Sequence, residues 1–446
     1  MIVSDTVRAD FLGARGGHVA TPNLDALAAS GTDFRRAYAC SFPTLPARSD
    51  YLTGRMTFAT WGWSALPRNV PTVPMILRSA GVTTAAVVDV PFYTVNAYNY
   101  DRGFEFFYEL GTQHLARHGH LLPLHRASEA DYAPAQTVAA AERALERLRE
   151  RQPFFCLVDL WDPHEPWDPP HWYVERYRPG YDGRVVDPPY RPWEEAGMSR
   201  DDLDVAIACY SGELTMVDRW IGRLLERLDS LGLAESTAVL FASDHGFYFG
   251  ERGGLFGKMV LRPELDANRH TVDASALRAG GLWMRSPLYD EVARVPLLLR
   301  IPGEEPRVDD RLVSALDVAP TVLRLLDLNP PATFLGRSLT DDAAASRDRE
   351  VVLTGLPLAV PGERSLAVVD DLTRRVVEWQ PVTVTSREWT LLFATSSEPV
   401  ELYEANDPGA ENVADAHPEE VALLHRLLLV ELERGGADAA AIEARS

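Results

Sequence analysis

Thr44-Leu45-Pro46-Ala47-Arg48-Ser49-Asp50-Tyr51-Leu52-Thr53-Gly54-Arg55 opens with a hydroxyl at the head of a proline-containing turn. An arginine follows four residues later, and a helix-like run carries the chain to Thr53-Gly54-Arg55.

Around this stretch, apolar strand-like runs alternate with helix-like ones. Residues 1–6 read as a short strand, as though cut short, that delivers Asp5 at its carboxyl end. Thr21 to Gly31 reads as a helix capped by Thr21, with Pro22 in its first turn and Gly31 at its end. Helices are expected over Thr72 to Gly81, Pro134 to Arg151, Asp218 to Leu231 and Val313 to Leu328. Strands are expected over Thr84 to Val88, Pro153 to Leu160, Thr237 to Ala242 and Val295 to Arg300. This alternation predicts an α/β fold, a mostly parallel sheet sandwiched by helices. In such sheets ligands gather beyond the carboxyl ends of strands, and Asp5, Asp159 and Asp244 each stand at such an end.

Near residue 345 the character changes to short strand-like runs, such as Trp389 to Phe393, and a terminal helix from about Pro418. The expected division is a catalytic α/β domain over 1–344 and a small C-terminal α+β subdomain over 345–446. Two inserts stand apart. Residues 161–198 are rich in Pro, Trp and Tyr, and residues 259–286 follow Lys258. Each reads either as a lid or pocket wall, or as surface decoration or an oligomer contact.

The 446 residues carry a formal net charge of -21. That balance speaks against nucleic acid and against anionic membrane surfaces as partners. A local cationic pocket for a small anion is still compatible with it, as is a homo-oligomer. Cys40, Cys156 and Cys209 form neither a disulfide framework nor a zinc-ligand pattern, and read as structural. No apolar run approaches membrane-spanning length and no signal peptide is legible, so the sequence reads as cytoplasmic.

Ser243-Asp244-His245-Gly246 follows the strand at 237–242 and precedes Gly250-Glu251. Adjacent Asp and His at a strand end can both turn toward one divalent cation. Together with Asp5-Thr6-Val7-Arg8-Ala9-Asp10, Thr21-Pro22-Asn23-Leu24-Asp25 and the Thr44 stretch, this pattern resembles the sulfatases of the alkaline phosphatase superfamily. The likeness continues through Asp162-Pro163-His164-Glu165-Pro166, Val217-Asp218-Arg219, Leu288-Tyr289-Asp290-Glu291 and Val295-Pro296-Leu297. It extends to Asp317-Val318-Ala319-Pro320-Thr321, Glu401-Leu402-Tyr403 and Asp407-Pro408-Gly409.

The resemblance implies an alkaline phosphatase-like fold and a divalent metal held by Asp5, Asp244 and His245, with the Thr44 oxygen completing the shell. It implies Thr44 as nucleophile, Arg48 beside it, and His164 and Lys258 reaching the anionic ester group or its leaving oxygen. The sequence departs from the family in two places. Sulfatases carry Cys or Ser where this chain has Thr44, and oxidise that residue to formylglycine. Threonine, with a methyl on Cβ, cannot become that aldehyde. The family also often has a second aspartate where Thr6 stands, and its loss favours Mn²⁺, Zn²⁺ or Fe²⁺ over Ca²⁺. Asp162, His164 and His270 are the nearest candidates for a second metal, which is left open. The expected activity is cleavage of a small phosphate or phosphonate ester through a threonine alkoxide, with sulfate ester hydrolysis or phospho-group transfer as alternatives.

Overall fold

The computed structural model describes residues 1–91, 96–111, 126–261, 284–341, 349–358, 381–396, 399–405, 407 and 411–446. Its strands are β1 (Ile2–Ser4), β2 (Thr32–Tyr38), β3 (Thr83–Val88), β4 (Phe106–Glu109), β5 (Phe154–Leu160), β6 (Arg191–Pro192), β7 (Val239–Ser243), β8 (Tyr248–Phe249) and β9 (Leu255–Gly257). They continue with β10 (Val260–Leu261), β11 (Met284–Arg285), β12 (Leu297–Arg300), β13 (Arg307–Ser314), β14 (Val352–Gly355), β15 (Val382–Thr385), β16 (Trp389–Phe393) and β17 (Glu401–Glu404). The principal helices are α1 (Pro22–Ala29), α2 (Thr44–Thr53), α3 (Val73–Ser79), α4 (Ala133–Leu148), α5 (Arg200–Ser230), α6 (Val318–Arg324) and α7 (Pro418–Gly435).

Eight strands form the central sheet in the order β13-β2-β12-β7-β1-β5-β3-β4. All neighbours pair in parallel except β12, which runs antiparallel to both β2 and β7. Successive side chains in a strand face opposite ways, and each face has its own core. Along β5, Phe155 and Leu157 enter one core while Cys156, Val158 and Leu160 enter the other. The first face is covered by Leu45 and Leu52 of α2, Leu77 of α3, Leu323 of α6 and Leu428 of α7. Leu24 of α1, Val138 of α4 and Ile221 of α5 cover the second. Burial on both faces is why these strands read as continuous apolar runs rather than alternating ones. A four-stranded antiparallel sheet, β14-β15-β16-β17, completes the C-terminal part.

Several expectations shift. The helix expected from Asp218 begins at Arg200, where Ser199 and Asp202 form a reciprocal cap. Its first half hid from the pattern because nearly every residue from Val205 to Asp218 is buried, including Gly212, Glu213 and Asp218. An all-round buried helix loses its amphipathic period. The Asp218 carboxylate accepts from the backbone N–H groups of Asn23 and Leu24 and so stitches α1 to α5. The helix expected over Val313 to Leu328 is shorter, since Val313 and Ser314 close β13 and the α-helix spans Val318–Arg324. Thr21 does precede α1, but its hydroxyl donates to Asp25 Oδ1 instead of capping a backbone N–H, and the helix stops at Ala29, before Gly31.

The aromatic insert contributes to the core. Trp161 and Trp167 are fully buried, the latter against Tyr210, Phe247 and Phe249. The three cysteines are buried and free. Most of the second insert, including His270, lies outside the described residues. Among the described residues no helix is long and apolar enough to cross a membrane.

Candidate active site

The register of the sheet brings the acidic groups together. Val3 lies beside Asp159 and Ser4 beside Ser243, so Asp5 emerges next to Asp244 at the carboxyl ends of three adjacent parallel strands. Asp5, Asp244 and His245 are fully buried, and one ligand atom from each lies within 4.8 Å of the others. This is the one such group among the described residues.

Whether these residues suit a cation is answered by their lone pairs. His245 Nδ1 lies 3.0 Å from the Gly246 carbonyl, which can only accept, so the ring proton is on Nδ1. That leaves the Nε2 lone pair 3.8 Å from Asp5 Oδ1 and 3.6 Å from Asp244 Oδ2, with no hydrogen-bond partner. Asp5 Oδ2 is likewise buried without a hydrogen bond, and it pairs with the Arg48 guanidinium at 3.1 Å. Converging lone pairs in a dry pocket repel one another unless a positive ion lies between them. The donor set therefore fits a divalent metal. Burial, and then the nearby Asp244, raise the Asp5 carboxyl well above its ordinary range. Burial also works against an ionised Asp244, but His245, Arg48 and hydrogen bonds outweigh it and hold that carboxyl low. Burial pushes His245 down to about 4, against the pull of Asp244, which leaves the imidazole neutral and able to ligate at neutral pH.

Thr6 is well used despite the missing carboxylate. Its hydroxyl donates to Asp5 Oδ1 at 2.6 Å and its N–H to Asp244 Oδ1 at 3.0 Å. It holds both carboxylates from a left-handed backbone with φ 59°, unusual for a β-branched residue. Groups that orient metal-binding carboxylates typically change affinity by about 10–100-fold. Thr6→Val, which keeps shape but loses the hydroxyl, is expected to weaken divalent-ion binding by that factor in a chelator-competition titration. An unchanged affinity would show that Thr6 only fills space.

Thr44 is the first residue of α2 and is buried, with Pro43 before it. The helix that carries it is tied down at three further positions. Arg48 Nη1 lies 2.6 Å from Asp244 Oδ2, 3.1 Å from Asp5 Oδ2 and 3.3 Å from the Thr44 carbonyl. Its Nε and Nη2 grip Asp159. Asp50 accepts from Ser41 N–H and hydroxyl and from Thr57 N–H, which fixes the approach to Thr44. Tyr51 Oη donates to the Ser243 carbonyl at 2.5 Å. Gly54 closes the helix at φ 60°, where a Cβ would also strike the Phe334 ring at 2.7 Å. Asp159 thus stands at its strand end as an arginine partner and lies outside the metal-capable group. Removing Arg48 would strip that buried carboxylate of its guanidinium. Arg48→Met is expected to cost about 3–5 kcal/mol in a urea unfolding series, and a loss under about 1 kcal/mol would contradict this account of the pair.

His164 and Lys258 meet directly. The His164 ring stacks on Trp161 with centroids 3.7 Å apart, and Lys258 Nζ lies 2.5 Å from its Nε2. Lys258 is close enough to the metal-capable group to act on Asp5 and His245 electrostatically. Two residues not singled out from the sequence complete this corner. Glu165 Oε1 receives Lys258 Nζ at 3.0 Å and also the Tyr190 hydroxyl. With both His164 nitrogens engaged, Asp162 and His164 do not form a second metal group among the described residues.

This fold is that of the alkaline phosphatase-like ester hydrolases, and the relatives agree. A family model described as Sulfatase matches residues 1–328, and the chain belongs to the sulfatase family. The ulvan-active sulfatase of Formosa agariphila is 26% identical over 360 residues, which cover 76% of this chain and 63% of that protein. The arylsulfatase of Clostridium perfringens is 25% identical over 411 residues, covering 76% of this chain and 77% of that one. The chain therefore spans about two thirds to three quarters of the length of these relatives, short of two thirds for the ulvan-active enzyme. Among solved structures, the phosphonate monoester hydrolase of Silicibacter pomeroyi superposes with a TM-score of 0.74 at 22% identity, covering 97% of this chain and 94% of that one.

Proposed function

We propose that this chain is a metal-dependent hydrolase of small anionic esters in which Thr44 Oγ1 is the nucleophile. The observation that carries the reading is the meeting of Asp5, Asp244 and His245 with Arg48, on the helix that Thr44 begins. A divalent cation held by those three residues would supply Lewis acidity, lowering the pKa of a nearby hydroxyl and offsetting charge on the ester oxygens. Two carboxylates, an imidazole and a hydroxyl suit Mn²⁺, Zn²⁺ or Fe²⁺ better than Ca²⁺. The Thr44 oxygen attacks the central atom, the leaving alcohol departs on the opposite side, and water releases the group from Thr44 in a second displacement. Arg48 orients the site around Thr44, while Lys258, held against His164, meets the charge that builds on the leaving oxygen. With a formal net charge of -21, the protein offers no general attraction to nucleic acid or acidic lipid, so the expected partner is a small molecule.

Two ester classes compete. The family and the names of the curated relatives support a sulfate ester better than the phosphate or phosphonate ester expected from the sequence. One observation favours the phosphorus centre: position 44 is threonine, which cannot be oxidised to the aldehyde that sulfatases use. Parallel assays on aryl sulfate, aryl phosphate and aryl phosphonate esters with one common leaving group separate the two. Sulfate turnover well above the others establishes an unmodified-threonine sulfatase, and the reverse order establishes the phosphorus ester. Absence of turnover on all three sinks the hydrolase reading.

A further inference from the structure

Of the 44 lysine and arginine residues in the chain, Lys258 alone is a lysine. Arginine holds its protons at every pH a protein meets, whereas a lysine ammonium can give one up. The single lysine is buried at 3% exposure, immediately after β9, and its ammonium meets His164 and Glu165. Gly257 makes that placement feasible. Its φ is +143°, and a Cβ there would come within 3.0 Å of Tyr190 Cα.

Glu165 touches both members of the Lys258–His164 couple. Its backbone carbonyl lies 2.6 Å from His164 Nδ1. A carbonyl only accepts, so the imidazole proton sits on Nδ1 and the Nε2 lone pair accepts from Lys258 Nζ at 2.5 Å. Its carboxylate meets Lys258 Nζ at 3.0 Å through Oε1, and the Tyr190 hydroxyl steadies the same oxygen. Glu165 Oε2 is buried, has no hydrogen bond, and lies 3.4 Å from His164 Nδ1. One residue therefore fixes the tautomer of the histidine and the position of the ammonium.

We infer that Glu165 is a positioning residue for leaving-group protonation: it turns Lys258 onto His164 so that Lys258 Nζ, rather than His164, delivers the proton. The inference rests on the hydrolase reading above. As the bond from sulfur or phosphorus to the leaving oxygen breaks, its electron pair stays on that oxygen. One proton passes to it from Lys258 Nζ, and the neutral amine left behind regains a proton from water. His164 keeps its own proton on Nδ1 throughout.

The lone lysine makes a direct test practical, because protein labelled with [ζ-15N]lysine gives one side-chain signal. In the wild type the Lys258 ammonium protons are expected to be protected from exchange and visible, and in Glu165→Gln they broaden away. An unchanged signal overturns the positioning role without reference to any substrate. The second arm compares 4-nitrophenyl and phenyl esters, whose leaving oxygens differ in their need for a proton. Glu165→Gln is expected to lose about 100-fold in kcat on the phenyl ester and under about threefold on the 4-nitrophenyl ester, and Glu165→Asp should recover part of the loss. Equal losses on both esters overturn the inference and leave Glu165 as a structural ion-pair partner. Wild-type protein without ester turnover defeats the hydrolase reading instead, and the labelling arm still decides the positioning role.

Discussion

Thr44→Ala is expected to abolish ester turnover, by about 10⁴-fold or more in kcat, because removal of an activated nucleophile leaves only binding and electrostatic contributions. The side chain is small and sits at a helix start, so the variant should unfold at nearly the wild-type urea concentration. Thr44→Ser keeps an alcohol at the same reach and should retain activity within about tenfold. Rapid quenching of the wild type should trap a peptide spanning residue 44 that has gained one sulfo or phosphoryl group. Turnover by Thr44→Ala within tenfold of the wild type would place the nucleophile elsewhere. The trapped group would also identify the ester class, independently of the parallel assays.

The second large effect is metal removal. Dialysis against a strong chelator is expected to lower kcat by about 10³-fold, since loss of the cation forfeits several kcal/mol of charge stabilisation. Added Mn²⁺, Zn²⁺ or Fe²⁺ should restore it. Restoration should fail in Asp244→Ala, which removes a carboxylate from the group of three. The melting temperature should rise with added ion in the wild type and stay flat in that variant, as expected for a ligand that binds only the folded state. Full activity in protein shown by elemental analysis to hold far less than one ion per chain would end the proposal.

The metal-capable group was legible because its members stand at strand ends, where a short apolar run gives way to an acid. Thr44 and Arg48 were legible because the stretch from Thr44 to Arg55 resembles the family's nucleophile signature. What escaped lacked a local signature. β2 reads Thr32-Asp33-Phe34-Arg35-Arg36-Ala37-Tyr38, and its charges conceal a central strand. The fold accommodates them because Asp33 is paired with both Arg15 and Arg35 at 2.7 Å. β13, with Asp309-Asp310-Arg311 in its middle, hid for the same reason. Glu165 and Tyr190 are 25 positions apart and meet only through the path of the aromatic insert. The antiparallel direction of β12 is set by the connections between strands, which no single run of residues records.

The fastening of α2 bears on how the protein fails under stress. Arg48, Asp50 and Tyr51 bind that one helix to the ends of β1, β5 and β7 and to the preceding loop, so no soft joint separates Thr44 from the sheet. Many enzymes lose activity in mild denaturant long before their bulk structure melts, because their working parts ride on pliable loops. Here the curves for inactivation and for loss of ellipticity should coincide.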